Sequence, residues 1–338
     1  MMKHLLILLF AFVLLTAFNN EVQSLFHAPN YFPKPSYDFK KNPLTKEKVL
    51  LGRVLFFDPL LSIDGKVSCA SCHSPYNAFA HTDHSLSHGI FDSIGNRNAP
   101  ALFNLAWQHD FMWDGAINHL DVQALAPISH PKEMGENINH LVEKLQSSSR
   151  YPSLFFKAFK DSAITGENLL KALAQFQLTL VSNHSKYDEV RQGKNSFSEQ
   201  ENKGYQLFLQ NCNACHTEPL FTNEQFECNG LSVDTTLNDF GKNRITHLSV
   251  DSLVFKVPSL RNLRYTFPYM HDGRFKKLGQ VLNHYTNNIQ PHPNLSKELK
   301  NGIHLSSDDK ADLIAFLMTL NDSSFVFNTH HQFPKEFF

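Results

Sequence analysis

The sequence predicts a mostly α-helical protein made of two related domains with long loops. Three observations carry that expectation. Apolar residues recur at helical spacing in several segments, few segments alternate as strands do, and a 21-residue stretch recurs at a constant offset of 158. The length of 338 residues also suits two domains at about 150 residues each.

Along the chain, Lys3 and His4 precede an unbroken apolar run from Leu5 to Leu15, and polar residues return at Asn19, Asn20 and Glu21. A positive start, a short apolar core and a polar exit predict a secretory signal peptide over residues 1–24, cleaved between Ala17 and Ser24. The run is too short to span a bilayer, which takes about 20 apolar residues. The mature protein is therefore expected to be exported, without stable membrane insertion. Residues 25–44 are rich in Pro and aromatics and read as an irregular arm. Residues 45–57 form a helix with Thr45 as N-cap. The stretch from Asp58 to Pro100 has no sustained periodicity, and structureless segments of that length in compact domains are usually functional. Helices are expected again over Asn137–Ser147, Gly166–Val181 and Ser198–Asn211. A last one, Ser307–Leu320, has a polar cap and acids in its first turn.

The repeat aligns PALFNLAWQHDFMWDGAINHL, residues 100–120, with PSLRNLRYTFPYMHDGRFKKL, residues 258–278, with eight identities in 21 positions. A helix and a C-x-x-C-H motif precede each copy. Two domains of one design follow, 25–190 and 191–338, and two copies point to paired sites rather than to a solenoid, which needs at least three repeats.

Composition narrows the function. Lys plus Arg is 31 against 32 Asp plus Glu, a formal net charge of −1, which argues against nucleic acid as a partner. Five cysteines are too few for a disulfide scaffold, while 19 His and 30 Phe are unusually many.

Four of those cysteines stand in Cys69-Ala-Ser-Cys72-His73 and Cys212-Asn-Ala-Cys215-His216. This is the attachment pattern for c-type haem. Two thiols three residues apart reach the two vinyl groups of one porphyrin, and the following His is held beneath the iron. A four-cysteine zinc site would pair nearby CxxC units, and a redox disulfide would need neither the His nor a duplicate. Each domain is thus expected to carry one covalent haem c. Cys228 is left over and reads as a buried small hydrophobe. The occupant of each sixth iron position decides function. For the first haem His81, His84 and His88 are available, and for the second Met270, His271, His284 and Tyr285. Spacing alone does not choose among them.

VSCASCH, RNAPALFN, FMWDG, the EM pair of HPKEMG, NCNACH and KVPSLRNLRYTFPYMHDG together resemble the bacterial di-haem cytochrome c peroxidases and the related methylamine-utilisation di-haem enzymes. The resemblance runs from about residue 45 to 320. It implies two cytochrome c-like domains, the N-terminal one peroxidatic and the C-terminal one for electron transfer. It also implies that Glu133 is the acid–base residue, moving a proton between the two oxygens of peroxide so that water can leave. Trp113 matches the indole that the family places between the haems, and Gln123 matches a distal-pocket position. Asn98 matches a residue that helps hold a calcium ion between the domains. His88 aligns with the displaceable distal His of the peroxidases. Tyr285 stands where the peroxidases carry a Met ligand, and so looks like the methylamine-utilisation branch.

The expected function is reduction of hydrogen peroxide to water in the periplasm, with electrons from a small donor protein, a c-type cytochrome or cupredoxin. The resemblance also points to a homodimer. Two alternatives stand beside it: oxidation of aromatic residues on a protein partner, which the Tyr285 match suggests, and a plain di-haem electron carrier.

Overall fold

A computed structural model describes residues 25–338; the expected signal peptide lies outside them. The arm of residues 25–44 is irregular, as expected, and is anchored by Phe26 and Phe32 against the ring of Trp107. The first long helix, α1, is Lys46–Phe57, and the Thr45 hydroxyl accepts the Lys48 amide at its N-terminus. Next come α2 (Cys69–Cys72), α3 (Leu120–Gln123), α4 (Leu125–Ser129), α5 (Ile138–Gln146) and α6 (Tyr151–Phe159). The domain closes with α7 (Gly166–Leu178), capped by Thr165. Beyond it lie α8 (Lys186–Arg191), α9 (Glu199–Asn211), α10 (Asn243–Thr246), α11 (Leu278–Asn287), α12 (Ser307–Met318) and α13 (Ser323–Val326). Ser198 with Glu201 and Ser306 with Asp309 form capping boxes that start α9 and α12. A two-residue antiparallel pair, β1 (Phe226–Glu227) and β2 (Phe255–Lys256), is the one small sheet among the described residues.

Two helix crossings organise the two cores. In the first, α1 lies so close to α7 that a Cβ on Gly52 would meet the Ala172 carbonyl oxygen at 1.9 Å. In the second, Gly204 of α9 stands in the same relation to Asp312 of α12, also at 1.9 Å. Phe56 packs on Phe176 in one crossing and Phe208 on Phe316 in the other. The duplication visible in the sequence is thus a duplication of packing.

Three of the repeat's identities share an unusual backbone shape. Asn104 and Asn262, Met112 and Met270, and Gly115 and Gly273 all have positive φ, from 55° to 76°. The paired Asn residues do the same work. The Asn104 amide donates to the Leu180 carbonyl and the Asn262 amide to the Leu320 carbonyl, tying each repeat to the end of its domain's last long helix. Their side chains meet at Ser182, whose backbone bonds Asn104 and whose hydroxyl accepts from Asn262.

The two cores do not divide at residue 190. Tyr187 packs in the second core, while Phe325 and Val326 belong to the first. The C-terminal segment therefore returns to the N-terminal domain, because its apolar side chains find their burial there. Among the described residues no helix is long and apolar enough to cross a membrane.

Candidate functional site

Each C-x-x-C-H motif sits where the second half of a short turn brings its histidine under a buried carbonyl. In the first, α2 holds Cys69 and Cys72 on one helical turn, and His73 closes it by donating its amide to the Cys69 carbonyl. The His73 Nδ1–H donates to the Phe79 carbonyl at 2.9 Å. In the second, the His216 Nδ1–H donates to the carbonyls of Pro258, at 3.0 Å, and Phe221, at 3.3 Å. A carbonyl only accepts, so Nδ1 carries the proton in both rings and Nε2 keeps its lone pair. Burial pushes both imidazoles down to about 4, so both are neutral near pH 7.

Phe79 and Phe221 are the residues that sequence reasoning missed. Both have positive φ, 60° and 57°, an unusual conformation for a bulky side chain, and both are fully buried. The left-handed turn aims each carbonyl at its histidine. The rings anchor the turns: Phe79 packs on Phe56 and Phe176, Phe221 on Tyr187 and Phe208. No side-chain chemistry marks these positions, so no residue-type signal could have found them.

A continuous cavity of about 500 Å³ reaches both motifs. Its lining includes Cys72, His73, Cys212, Cys215 and His216, and also Asn98, Trp113, Gln123, Glu133 and Tyr285. No two of the five cysteines are joined in a disulfide. Burial pushes the Cys69 and Cys212 thiols up to about 12 and the Cys72 thiol to about 11. Among the described residues no group of three or more His, Cys, Asp or Glu is arranged to hold a metal ion. A motif cysteine and a neutral imidazole with bare Nε2 at a large, mostly apolar cavity, an arrangement present twice, fit haem c.

The other predicted residues fall as follows. Glu133 is partly buried at the cavity; burial pushes its carboxyl up and the nearby His130, 3.7 Å away, opposes that shift. Trp113 forms part of the cavity wall shared by the two motifs; its indole N–H donates to the Asn98 carbonyl at 2.9 Å, and its own carbonyl accepts the Lys256 amide of β2. Asn98 is buried, and its side chain donates to the Ser85 carbonyl at 3.0 Å. Gln123 donates to the Met112 sulfur at 3.6 Å. Tyr285, on α11, has its phenol pushed up to about 12 by burial, with the Asn229 side chain partly offsetting. Met270 and His271 also line the cavity, whereas His284 is tied to the Asn229 carbonyl at 3.0 Å.

His88 lies beside the first motif, its backbone carbonyl 3.3 Å from the Cys72 Sγ. It is not among the residues lining the cavity: its ring stacks on His84 at 4.0 Å, with Nδ1 3.4 Å from Asp92. The reason is local. His88 pairs with Ile94 in an antiparallel bridge, which points the segment 87–95 back on itself. His81 and His84 are held to one another at 3.2 Å.

An ionic network unread in the sequence joins the domains beside the cavity. Arg97 grips Asp239 with two bonds and Asp114 with a third at 2.6 Å, and Arg244 also reaches Asp114 at 2.9 Å.

Comparison with known proteins gives two family matches: "Di-haem cytochrome c peroxidase" over residues 46–196 and "Cytochrome c" over residues 201–321. The chain is 39% identical to the methylamine utilization protein MauG of Methylorubrum extorquens, over 88% of this chain and 84% of that protein. It is 34% identical to the cytochrome c551 peroxidase of Nitrosomonas europaea, over 82% of this chain and 81% of that one. Among solved structures, a MauG-like protein associated with microbial copper homeostasis superposes with a TM-score of 0.80 at 29% identity, covering 91% of this chain and 99% of its own.

Proposed function

The chain belongs to the di-haem cytochrome c peroxidase family, and from that membership we propose that it reduces hydrogen peroxide to water with two electrons from a small donor protein. The single observation that carries this reading is the shared cavity, which joins both C-x-x-C-H motifs and includes Glu133 and Trp113 in its walls. Haem c, held through Cys69, Cys72 and His73 at one motif and Cys212, Cys215 and His216 at the other, supplies the redox-active iron. The protein's residues supply geometry and protons. The bare Nε2 atoms of His73 and His216 are the ligands, each made more basic by the carbonyl that takes its Nδ1–H. Glu133 accepts the proton from one peroxide oxygen and passes it to the other, which departs as water. The balance is one peroxide, two electrons and two protons giving two waters. Trp113 supplies an aromatic relay between the two sites, and Gln123 helps orient peroxide. Asn98, buried beside the domain junction, helps to hold a calcium ion there. The protein works in the periplasm, with a c-type cytochrome or a cupredoxin as donor, and pairs as a homodimer.

The test is Glu133→Gln in the holoprotein. Both haem spectra are expected to persist while peroxide turnover falls by about 10²–10⁴-fold, the usual contribution of a positioned acid–base group. Turnover near the parent rate would sink the assignment. One observation favours a second reading, oxidation of aromatic residues on a protein partner: Tyr285 lines the cavity at the second motif, where an anionic oxygen ligand would favour ferric iron. Replacement by Met is expected to change the spectrum of that haem alone.

A further inference from the structure

The two motifs differ in what encloses their left-handed phenylalanines. Around Phe221 the enclosing groups come from its own domain and its entry helix: Tyr187, Phe208, Phe316 and the buried Arg261, 5.5 Å from the ring. Around Phe79 two of the four enclosing rings come from the far end of the chain. Phe325 and His331 each have ring centroids 6.0 Å from Phe79, beside Phe56 and Phe176.

His331 is buried, and its Nδ1–H donates to the Phe325 carbonyl at 3.0 Å, so the two tail rings are fixed to one another. The tail is strapped down along its length. Arg53 of α1 donates to the carbonyls of Gln332, at 2.8 Å, and Thr329, at 3.0 Å. Phe333 packs on Phe57, and the Arg150 guanidinium lies 4.4 Å from the Phe338 ring. The strap thus meets the turn that orients His73 through Phe325 and His331, then runs on over the first core to end beside Arg150.

We propose that the C-terminal strap, residues 323–338, sets the orientation of His73 through Phe79, with His331 as a positioning residue for the first site only. Ala78 and Phe79 both hold positive φ, 50° and 60°, a conformation that persists only when its surroundings impose it. Removing a ring from the cage lets the Phe79 carbonyl retreat from the His73 Nδ1–H. A weaker bond there makes the imidazole a poorer donor to iron, which lowers the iron–histidine stretching frequency and raises the reduction potential of that haem. The second haem has no strap and serves as the control within the same molecule. The proposal rests on the haem assignment above.

The experiment compares the parent holoprotein with His331→Ala, His331→Phe and Leu141→Ala, a cavity variant in the same core. It reads the ferrous iron–histidine Raman band and the potential of each haem. His331→Ala is expected to shift the first haem's band down and its potential up, leaving the second unmoved. His331→Phe, which keeps the ring, is expected to return both toward the parent, while Leu141→Ala lowers the melting temperature without moving either. Phe325→Leu carries the same expectation as His331→Ala where that variant does not accumulate. Equal shifts in both haems, or a melting change alone in both strap variants, would overturn the proposal. A parent protein with no haem attached at Cys69 and Cys72 would overturn the assignment on which it rests.

Discussion

The decisive atoms at the two sites are of two kinds, side-chain atoms that bind and backbone atoms that aim. Cys69, Cys72 and His73 belong to the first kind, and covalent chemistry fixes their spacing, so they were readable in the sequence together with Cys212, Cys215 and His216. The carbonyls of Phe79 and Phe221 belong to the second kind. Every residue has a carbonyl, so nothing in residue type betrays one that is aimed. Glu133 became readable only through its EM context, and its environment gives it a pH signature. Burial pushes its carboxyl up, and His130 holds it back. As the first proton acceptor it must be ionised, so peroxide reduction is expected to fall as pH drops through that raised value. The acid limb of the rate profile lies above the range of an exposed glutamate, and His130→Ala is expected to move it higher still. A limb that stays in place in that variant would remove His130 from the site's electrostatics.

Helix ends and helix crossings follow different rules. The ends were legible because capping is local: Thr45, Thr165, Ser198 and Ser306 each bond an amide three residues on. Helix α6 was not, since its YPSLFFKAF is apolar on most sides and opens with Pro near N1. Helix α11, which carries Tyr285, lacks a side-chain N-cap of the usual type, with Lys277 in that place. The crossings depend on glycine at one position of each leading helix. Gly204→Ala forces a methyl against the Asp312 carbonyl and is expected to destabilise the holoprotein by ~1–3 kcal/mol or more in thermal unfolding. Gly279 in α11 has open space around its Cβ position, so Gly279→Ala is expected to be neutral or slightly stabilising. Equal losses in the two variants would show that the crossing is not what Gly204 serves.

At the scale of the whole molecule, the repeat was the most informative feature of the sequence, since its identities mark the left-handed positions and the Asn pair that meets at Ser182. The fold beyond the repeat was less legible. The returning tail and the buried Arg261–Asp188 pair link segments far apart in sequence, which no local pattern encodes. Arg261 and Asp188 are both fully buried, with two bonds at 2.8 and 2.9 Å and a third from Tyr31 to the carboxylate. Burial alone would push the Asp188 carboxyl up, yet Arg261 and Ser185 hold it below the usual range. Its contribution to stability is therefore present above the unfolded value and lost as pH falls toward the folded one. Arg261→Met strands that charge and is expected to cost ~3–5 kcal/mol, with the loss lessened in acid as Asp188 takes up a proton. A loss independent of pH would assign Arg261 a packing role alone. The most direct measurement is a titration of the fully reduced holoprotein with hydrogen peroxide, followed by the absorbance of both haems. One equivalent of peroxide is expected to reoxidise both together, since two stored electrons match one two-electron reduction. Haems that stay reduced, or a requirement for two equivalents, would contradict peroxide reduction by the paired site.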